Sequence, residues 1–203
     1  MVLAMYKINL LIFLLIVSGF PQKKRHVITK EYKNTQIKCK TIGITSFKLN
    51  DEEEQNYQET FLTYFKIKIL EDPKGFDLKE LPLSKEELSE SIQLKISRKY
   101  NIFANLPKST NIELDGFSPD VIIFIPYFYH YTVELPSSSG TSYTPFGTVY
   151  GSRLTFREKE KYSVGYVFWD NRAGRVIAYG FADSGVNLTF MANTVYKTIT
   201  FIK

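Results

Sequence analysis

The stretch YSVGYVFWDNRAGRVIAYGFADS, Tyr162–Ser184, sets two aromatic and β-branched runs on either side of a short polar segment. In both runs apolar side chains recur at every second position, which is typical of β-strands. Between them, Asp170 and Asn171 can bond their own backbone, and Gly174 can take the positive φ of a tight turn. We therefore predict a β-hairpin with its turn at Asp170–Gly174 rather than a reactive loop.

A longer strand signal, DVIIFIPYFYHYTVEL, precedes this hairpin. Strict alternation would place one set of residues on a single face: Val121, Ile123, Ile125, Tyr127, Tyr129, Tyr131, Val133 and Leu135. Pro126 cannot donate a hydrogen bond to a neighbouring strand, so we predict a bulge or a change of partner there. Upstream, TIGITSFKLN predicts a first strand that begins at Thr41.

Three segments carry helix signals. In SKEELSESIQLKISRKY, Ser84 and Glu87 form a capping box ahead of apolar residues spaced four apart, so we predict a helix there. NLTFMANTVYKTITFIK predicts a closing helix behind an Asn187 cap. Between Gln55 and Leu70 helix and strand signals coexist, and the sequence leaves that segment open. The acids of DEEE, residues 51–54, suit a helix N-terminus, where the backbone dipole favours negative charge.

This order of elements predicts an α+β or α/β fold, a single domain with a mixed, mainly antiparallel sheet and helices on one face. Aromatic residues make up 15% of the 203-residue chain, which favours sheet. We divide the chain into a signal peptide or N-terminal anchor at residues 1–19, a basic linker at 20–40 and one domain at 41–203. Much of the net charge of +5 lies in that linker, which we expect to be solvated.

The segment MYKINLLIFLLIVSGF, Met5–Phe20, predicts export. Lys7 precedes an apolar run, Ile8–Val17, that is shorter than the about 20 residues needed to span a bilayer comfortably. Cleavage would release a soluble periplasmic or secreted protein. The alternatives are an uncleaved anchor, which the basic residues after the run favour, and a buried core helix.

The end of this segment, VSGF, resembles a bacterial lipoprotein box. Val17 and Gly19 are small residues of the kind that a signal peptidase accepts, so cleavage before Phe20 is expected. Phe20 stands where the box would have its cysteine. Without that thiol, no lipid can be attached at this position.

The ionisable residues form no recognisable catalytic or metal-binding pattern, and we expect no metal and no cofactor. The chain has two histidines, His26 and His130, and one cysteine, Cys39, which disfavours nucleophilic triads and multi-cysteine metal sites. No glycine-rich phosphate loop is present. One alternative is a carboxylate-based hydrolase, in which a pair of acids would converge in space. Glu134 and Asp170 are the main candidates, and the full set is Asp115, Asp120, Glu134 and Asp170.

Nucleic-acid binding is the second alternative, because aromatic residues on strands beside lysine and arginine can stack bases. The lysines are scattered along the sequence, however, and many aromatic residues alternate onto what must be the core. The predicted export segment also separates the protein from most nucleic acid. We therefore expect no nucleic-acid partner.

A long loop, PSSSGTSYTPFGTVYGS, is predicted at Pro136–Ser152 from its low charge and its content of serine, glycine and proline. Loops of this length in compact domains are often functional. Tyrosine is a common interface anchor. We therefore predict that the protein contacts a partner through an open sheet edge or through this loop, with four candidate contact residues in and next to the loop: Tyr143, Phe146, Tyr150 and Arg153.

Three motifs, TIGITSF, SPDVIIFIPYF and VGYVFWDNRAGRVIAYG, occur in an order that resembles small bacterial envelope proteins. These proteins are similar to the TolB N-terminal domain and the curli secretion lipoprotein CsgG, and the resemblance covers residues 40–203 in outline. It implies a non-catalytic scaffold role in the cell envelope, with an envelope protein or the membrane surface as partner. The missing lipobox cysteine and the proline-containing loop depart from the pattern.

Overall fold

The computed structural model describes residues 25–46, 51–97, 100–138, 154–184 and 187–199. In these ranges the strands and helices are β1 (Arg25–Ile28), β2 (Thr41–Ser46), α1 (Glu52–Leu70), β3 (Asp77–Glu80), β4 (Leu88–Ser97), β5 (Tyr100–Pro107), β6 (Val121–Ser138), β7 (Leu154–Asp170), β8 (Arg175–Ser184) and α2 (Leu188–Tyr196). Neither helix in the described ranges is both long and apolar enough to span a bilayer. The predicted export segment lies outside these ranges, and so do the lipobox-like residues Val17, Gly19 and Phe20.

Within the described ranges, six strands form one sheet in the order β1-β8-β7-β6-β2-β3. The pairs β1–β8, β8–β7 and β7–β6 are antiparallel, whereas β2 runs parallel to both of its neighbours. Helix α1 connects β2 to β3, as a parallel pair requires. The prediction of a mixed, mainly antiparallel sheet in an α+β domain is confirmed.

The sheet is covered on both faces. Helices α1 and α2 pack on one face over a core that includes Phe61, Phe65, Ile123, Tyr166, Phe168, Met191 and Val195, all fully buried. The β4–β5 hairpin covers the other face over a second core that includes Leu88, Ile102, Leu106, Ile122, Phe124, Val167 and Trp169. The two-sided cover explains why VIIFI, residues 121–125, is continuously apolar. The predicted placement of the helices on one face is confirmed.

The predicted β7–β8 hairpin is also confirmed, and its turn has the expected chemistry. Gly174 has φ +63°, a backbone conformation that residues with a side chain rarely adopt. Asp170 Oδ1 accepts hydrogen bonds from the backbone N–H groups of Arg172 and Ala173 at 3.0 and 2.8 Å. Asp170 Oδ2 accepts a further bond, at 2.9 Å, from the hydroxyl of Tyr32. Asp170 therefore closes the turn and ties the N-terminal segment to it.

Asn171 differs from the prediction, because its side chain does not bond its own turn. It is fully buried, and its Nδ2 donates to the backbone oxygens of Ile112 and Pro119 at 3.0 and 2.8 Å. Its Oδ1 accepts from the Ile112 N–H at 2.9 Å. One turn residue thus holds the segment that leads from β5 to β6.

Arg172 lies at the tip of the turn, and its side chain, although 75% exposed, is not simply solvated. Its guanidinium forms an ion pair with Asp120 Oδ1. Asp120 Oδ2 accepts from the backbone N–H groups of Lys40 and Thr41 at 2.8 and 3.2 Å. Burial disfavours the charged carboxylate, but these donors and Arg172 outweigh it and hold the pKa of Asp120 below its usual range. Asp120 therefore joins the starts of β2 and β6 to the hairpin.

The helix predicted at residues 84–100 is wrong. The capping box exists, since Ser84 N–H donates to Glu87 Oε2 at 2.7 Å, but it caps only the 3-10 helix Lys85–Glu87. From Leu88 onward the chain is strand β4. Leu88, Ile92 and Ile96 are four apart, and a spacing of four fits both one helix face and one strand face. The intermediate Leu94 packs on the same core, which identifies the period as two.

The segment that the sequence left open is helix α1. Asp51 is its N-cap, and its side chain accepts from the Glu54 N–H at 2.9 Å. The acids of DEEE therefore cap a helix, as expected from the sequence. The predicted C-terminal helix is likewise present as α2, where Asn187 Oδ1 accepts from the Phe190 N–H at 2.7 Å.

The predicted division at residue 41 also needs correction, because residues 25–40 are not a plain linker. Strand β1 pairs with β8, with His26 opposite Gly180. The Thr29 N–H donates to the Ile177 oxygen at 2.9 Å, and Tyr32 and Cys39 are buried. Few apolar residues alternate in this segment and its positive charge is typical of a solvated linker, so the sequence does not indicate an edge strand.

Pro126 does mark a bulge, as predicted, and the bulge reverses the faces of β6. The register of the β6–β7 pair shifts between Phe124 and Tyr127. Ile123 and Ile125 belong to the core under the helices, and so does Phe128. The single face predicted from Val121 to Leu135 is therefore wrong beyond Pro126, because one extra residue changes which side each later residue faces.

We predict that Asn171→Asp destabilises the domain by about 3 kcal/mol at pH 7, because a carboxylate would face two backbone oxygens in a buried position. The folded state would raise the pKa of the new carboxyl. The loss should therefore be smallest near pH 4, where the carboxyl can protonate, and should grow as the pH rises through its folded pKa. Urea unfolding of the full chain measures this, with the exposed Asn56→Asp as control. A loss that does not change with pH would contradict the prediction.

We predict that Asp120→Asn costs about 2–3 kcal/mol at pH 7, because hydrogen bonds to a charged group are lost and Arg172 is left unpaired. The folded pKa of Asp120 lies below the unfolded value of 3.8. Its stabilisation is therefore complete above that value and disappears as the pH falls through the folded pKa. Chemical unfolding at a series of pH values should show the two proteins converge in acid. Asp115→Asn, at an exposed turn, serves as control, and an equal gap at every pH would refute this assignment.

Candidate functional site

Strands β6 and β7 continue past their other partners as a two-stranded β-arm. We define the β-arm as residues 131–138 of β6 paired with residues 154–161 of β7. Strand β8 pairs with β7 only from Tyr162 onward, and β2 pairs with β6 only up to Ile125. Eight extended residues span about 25 Å. An isolated two-stranded ribbon is marginally stable in water, so the β-arm would gain stability from additional packing.

One face of the β-arm and its base combines tyrosines with cations. We call it the tyrosine–cation face, and it consists of Tyr127, Tyr129 and Tyr131 on β6 with Arg157, Lys159 and Lys161 on β7. Tyr131 lies directly opposite Lys161, and directly opposed residues of an antiparallel pair point to the same side. Tyr127 and Tyr129 are 41% and 44% exposed, which is high for tyrosines in the middle of a long strand.

The three tyrosines contact one another along the strand. The rings of Tyr127 and Tyr129 lie 6.3 Å apart between centroids, and those of Tyr129 and Tyr131 lie 5.5 Å apart. The interplanar angles are 28° and 24°. At the base, Tyr127 also contacts Phe181 and crosses Gly165, where an added Cβ would lie 3.1 Å from the Tyr127 Cβ. Because Gly165 has no side chain, Tyr127 can lie across it, next to Ile102 of strand β5.

The pleat of β7 separates opposite charges that alternate in its sequence. In REKEK, residues 157–161, each cation is followed by an acid until Lys161. The cations face the same side as the tyrosines, whereas Glu158 and Glu160 face the opposite side, where Glu158 lies opposite Glu134. A segment that is nearly neutral along the chain thus carries positive charge on one face and negative charge on the other.

The face of the β-arm that carries Glu134, Glu158 and Glu160 is the acidic face. Where this face meets helix α1, it contains a cluster of side chains around His130. The His130 ring lies 4.4 Å from that of Tyr57 and 5.0 Å from that of Tyr162. The Tyr162 hydroxyl donates to Glu160 Oε2 at 2.6 Å, and burial together with this carboxylate raises the pKa of Tyr162. Within the described residues His130 Nε2 is buried without a hydrogen-bond partner. The cluster packs the N-terminal half of α1 against the base of the β-arm.

The structure does not bring Asp170 and Glu134 together, as the hydrolase alternative requires. Asp170 lies opposite Val121 at one end of β6, whereas Glu134 lies opposite Glu158 near the other end. Thirteen residues of strand separate the two positions, which is roughly 40 Å. Asp120 accepts a structural hydrogen bond from the Lys40 N–H at the start of β2, and Asp170 accepts one from the Ala173 N–H in the hairpin turn. The hydrolase hypothesis built on Asp170 and Glu134 is therefore wrong.

A cleft of about 640 Å³ lies between α1 and the carboxyl ends of β2 and β3. Its polar side chains largely bond each other: Gln55 Nε2 donates to Glu59 Oε1 at 2.9 Å, and Lys66 pairs with Glu80. Cys39 lies elsewhere, and its buried thiol donates weakly to the Thr41 oxygen at 3.5 Å. Burial and the nearby Asp120 raise the pKa of Cys39 to about 12, which disfavours the reactive thiolate.

The four loop residues predicted as an interaction site, Tyr143, Phe146, Tyr150 and Arg153, lie outside the described residues. Their loop follows β6 and precedes β7, so in sequence it connects the two strands of the β-arm. Strict alternation places Tyr127, Tyr129 and Tyr131 on the face of Ile123 and Ile125, so the sequence alone does not predict the tyrosine–cation face. The strict alternation of charge in REKEK was the signal that could have revealed it.

No protein-family model matches this chain, and no curated protein matches it significantly. Among solved structures it is similar to a PDZ domain protein from Parabacteroides distasonis, with 10% sequence identity and a TM-score of 0.36. The similarity covers 89% of this chain and 35% of that protein. At this TM-score the similarity supports no conclusion about fold or function.

Proposed function

We propose that this protein is an exported, non-catalytic interaction module of the bacterial cell envelope, and that its β-arm binds a partner protein. The observation that carries the proposal is the tyrosine–cation face, an exposed row of three aromatic side chains next to three cations. Tyrosine and arginine are enriched at protein interfaces, whereas lysine is depleted there. The partner is an envelope protein, and the loop that joins the strands of the β-arm extends the contact.

The shape of the site supports binding more than chemistry. The tyrosine–cation face is open and runs along an extended ribbon, whereas active sites are usually concave. Two of the candidate acids, Asp120 beside β6 and Asp170 in the hairpin turn, are engaged in structural hydrogen bonds. Export rests on the apolar run Ile8–Val17 and the residues that follow it. The resemblance to TolB-like and CsgG-like envelope proteins agrees with the same compartment.

Photo-crosslinking in the source organism tests the proposal. A photoreactive phenylalanine analogue in place of Tyr129 should crosslink the full chain to a second protein in the envelope fraction. The same analogue in place of Thr132, which lies on the opposite face, should crosslink several-fold less. Mass spectrometry of the purified adduct identifies the partner, and that of the free chain identifies the mature N-terminus.

Equal crosslinking from positions 129 and 132 would overturn the assignment of the face. Recovery of the chain and its adducts in the cytosolic fraction would overturn the proposed compartment. A chain that begins at Phe20 would indicate cleavage, whereas an intact N-terminus in the membrane fraction would indicate an anchor. Both results agree with an envelope protein.

A further inference from the structure

The partner's chemistry can be narrowed if the β-arm is the binding site of the proposed function. We propose that the tyrosine–cation face binds an acidic, extended polypeptide segment of the partner. The excess positive charge of this face, the spacing of its cations, the open edge of β7 and the ring contacts between the tyrosines each support this occupant.

The three cations outnumber the carboxylates on their own face, where Asp183 of β8 accepts a hydrogen bond from Ser163 rather than pairing with a cation. Within the described residues Arg157, Lys159 and Lys161 form no ion pair. Their cross-strand neighbours are Leu135, Val133 and Tyr131, which carry no charge. The nearest acids in the sequence, Glu158 and Glu160, face the other side of the ribbon. The face therefore favours a partner that supplies negative charge.

The cations also repeat at the period of an extended chain. Arg157, Lys159 and Lys161 are each two residues apart on one strand, so they recur about every 6.6 Å. An extended polypeptide has its same-side residues at the same interval. Carboxylates at alternate positions of such a segment can therefore pair with successive cations without a change of register.

The open edge of β7 favours a polypeptide over a nucleic acid. No described strand pairs with that edge between Leu154 and Lys161, directly beside the three cations. Exposed strand edges offer unpaired backbone N–H and C=O groups, which an incoming strand can pair with. A nucleic-acid backbone lacks the alternating donors and acceptors that such pairing needs.

The contacts between the tyrosine rings also favour a polypeptide over a nucleic acid. Single-stranded nucleic acid usually binds by stacking its bases on available ring faces. Tyr129 already contacts a ring on each side, at 6.3 and 5.5 Å, so a base cannot enter the row without breaking these contacts. The hydroxyls of Tyr127 and Tyr129 can still donate hydrogen bonds to carboxylates or backbone oxygens.

Fluorescence anisotropy with a labelled random copolymer of glutamate and tyrosine tests this proposal on the full chain in mild detergent. The triple variant Arg157→Glu, Lys159→Glu and Lys161→Glu should weaken binding by about tenfold or more, since three ion pairs are lost and repulsion replaces them. A matched control reverses three exposed lysines elsewhere and has the same net charge: Lys33→Glu, Lys38→Glu and Lys85→Glu. The control should change the affinity by less than about threefold.

Three results would overturn the proposal. If both triple variants weaken binding equally, the copolymer responds only to net charge. If labelled oligothymidylate binds more tightly than the copolymer and depends on the same three cations, the face binds nucleic acid instead. Circular dichroism and thermal unfolding confirm that each variant is folded. Crosslinking from position 129 without copolymer binding would refute the acidic partner and leave the proposed protein interaction intact.

Discussion

The pairing of β6 with β7 is interrupted once, at Pro126, and the other parts of the structure depend on that interruption. Before it, Ile122 and Phe124 fill the core under the β4–β5 hairpin. After it, Phe128 continues the core under the helices, and the tyrosines take the opposite side. One residue without a backbone N–H thus allows a single strand to contribute to two cores and then to a surface.

The hairpin turn is the second point on which the fold depends, because it joins segments that are distant in sequence. Asp170 binds Tyr32, Asn171 binds Ile112, and Arg172 pairs with Asp120. Each contact satisfies a polar group that would otherwise be unpaired at a partly buried position. Charged and amide residues in a turn can therefore have a structural role even when their pattern suggests reactivity.

Local patterns predicted the parts of the fold that local physics determines. The β7–β8 hairpin follows from a period of two and a glycine at positive φ, and the caps of α1 and α2 follow from Asp51 and Asn187. Strand β4 could not be distinguished from a helix, because its strongest apolar positions are four apart and only its tertiary contacts select the strand. The side on which the tyrosines lie depends on the number of residues that the bulge adds to β6. Pro126 predicts the position of the bulge but not that number.

The separation of charges on β7 has a consequence for how this protein can change. Composition and net charge stay almost constant if one residue is inserted between Lys161 and Tyr162. The pairing with β8 fixes the register from Tyr162 onward, so such an insertion would move every side chain of residues 157–161 to the other side of the strand and would place the acids beside the tyrosines. The length of this segment, rather than its residue content, therefore determines which charges share a face with the tyrosines. Natural variation should accept substitutions here far more readily than insertions of an odd number of residues.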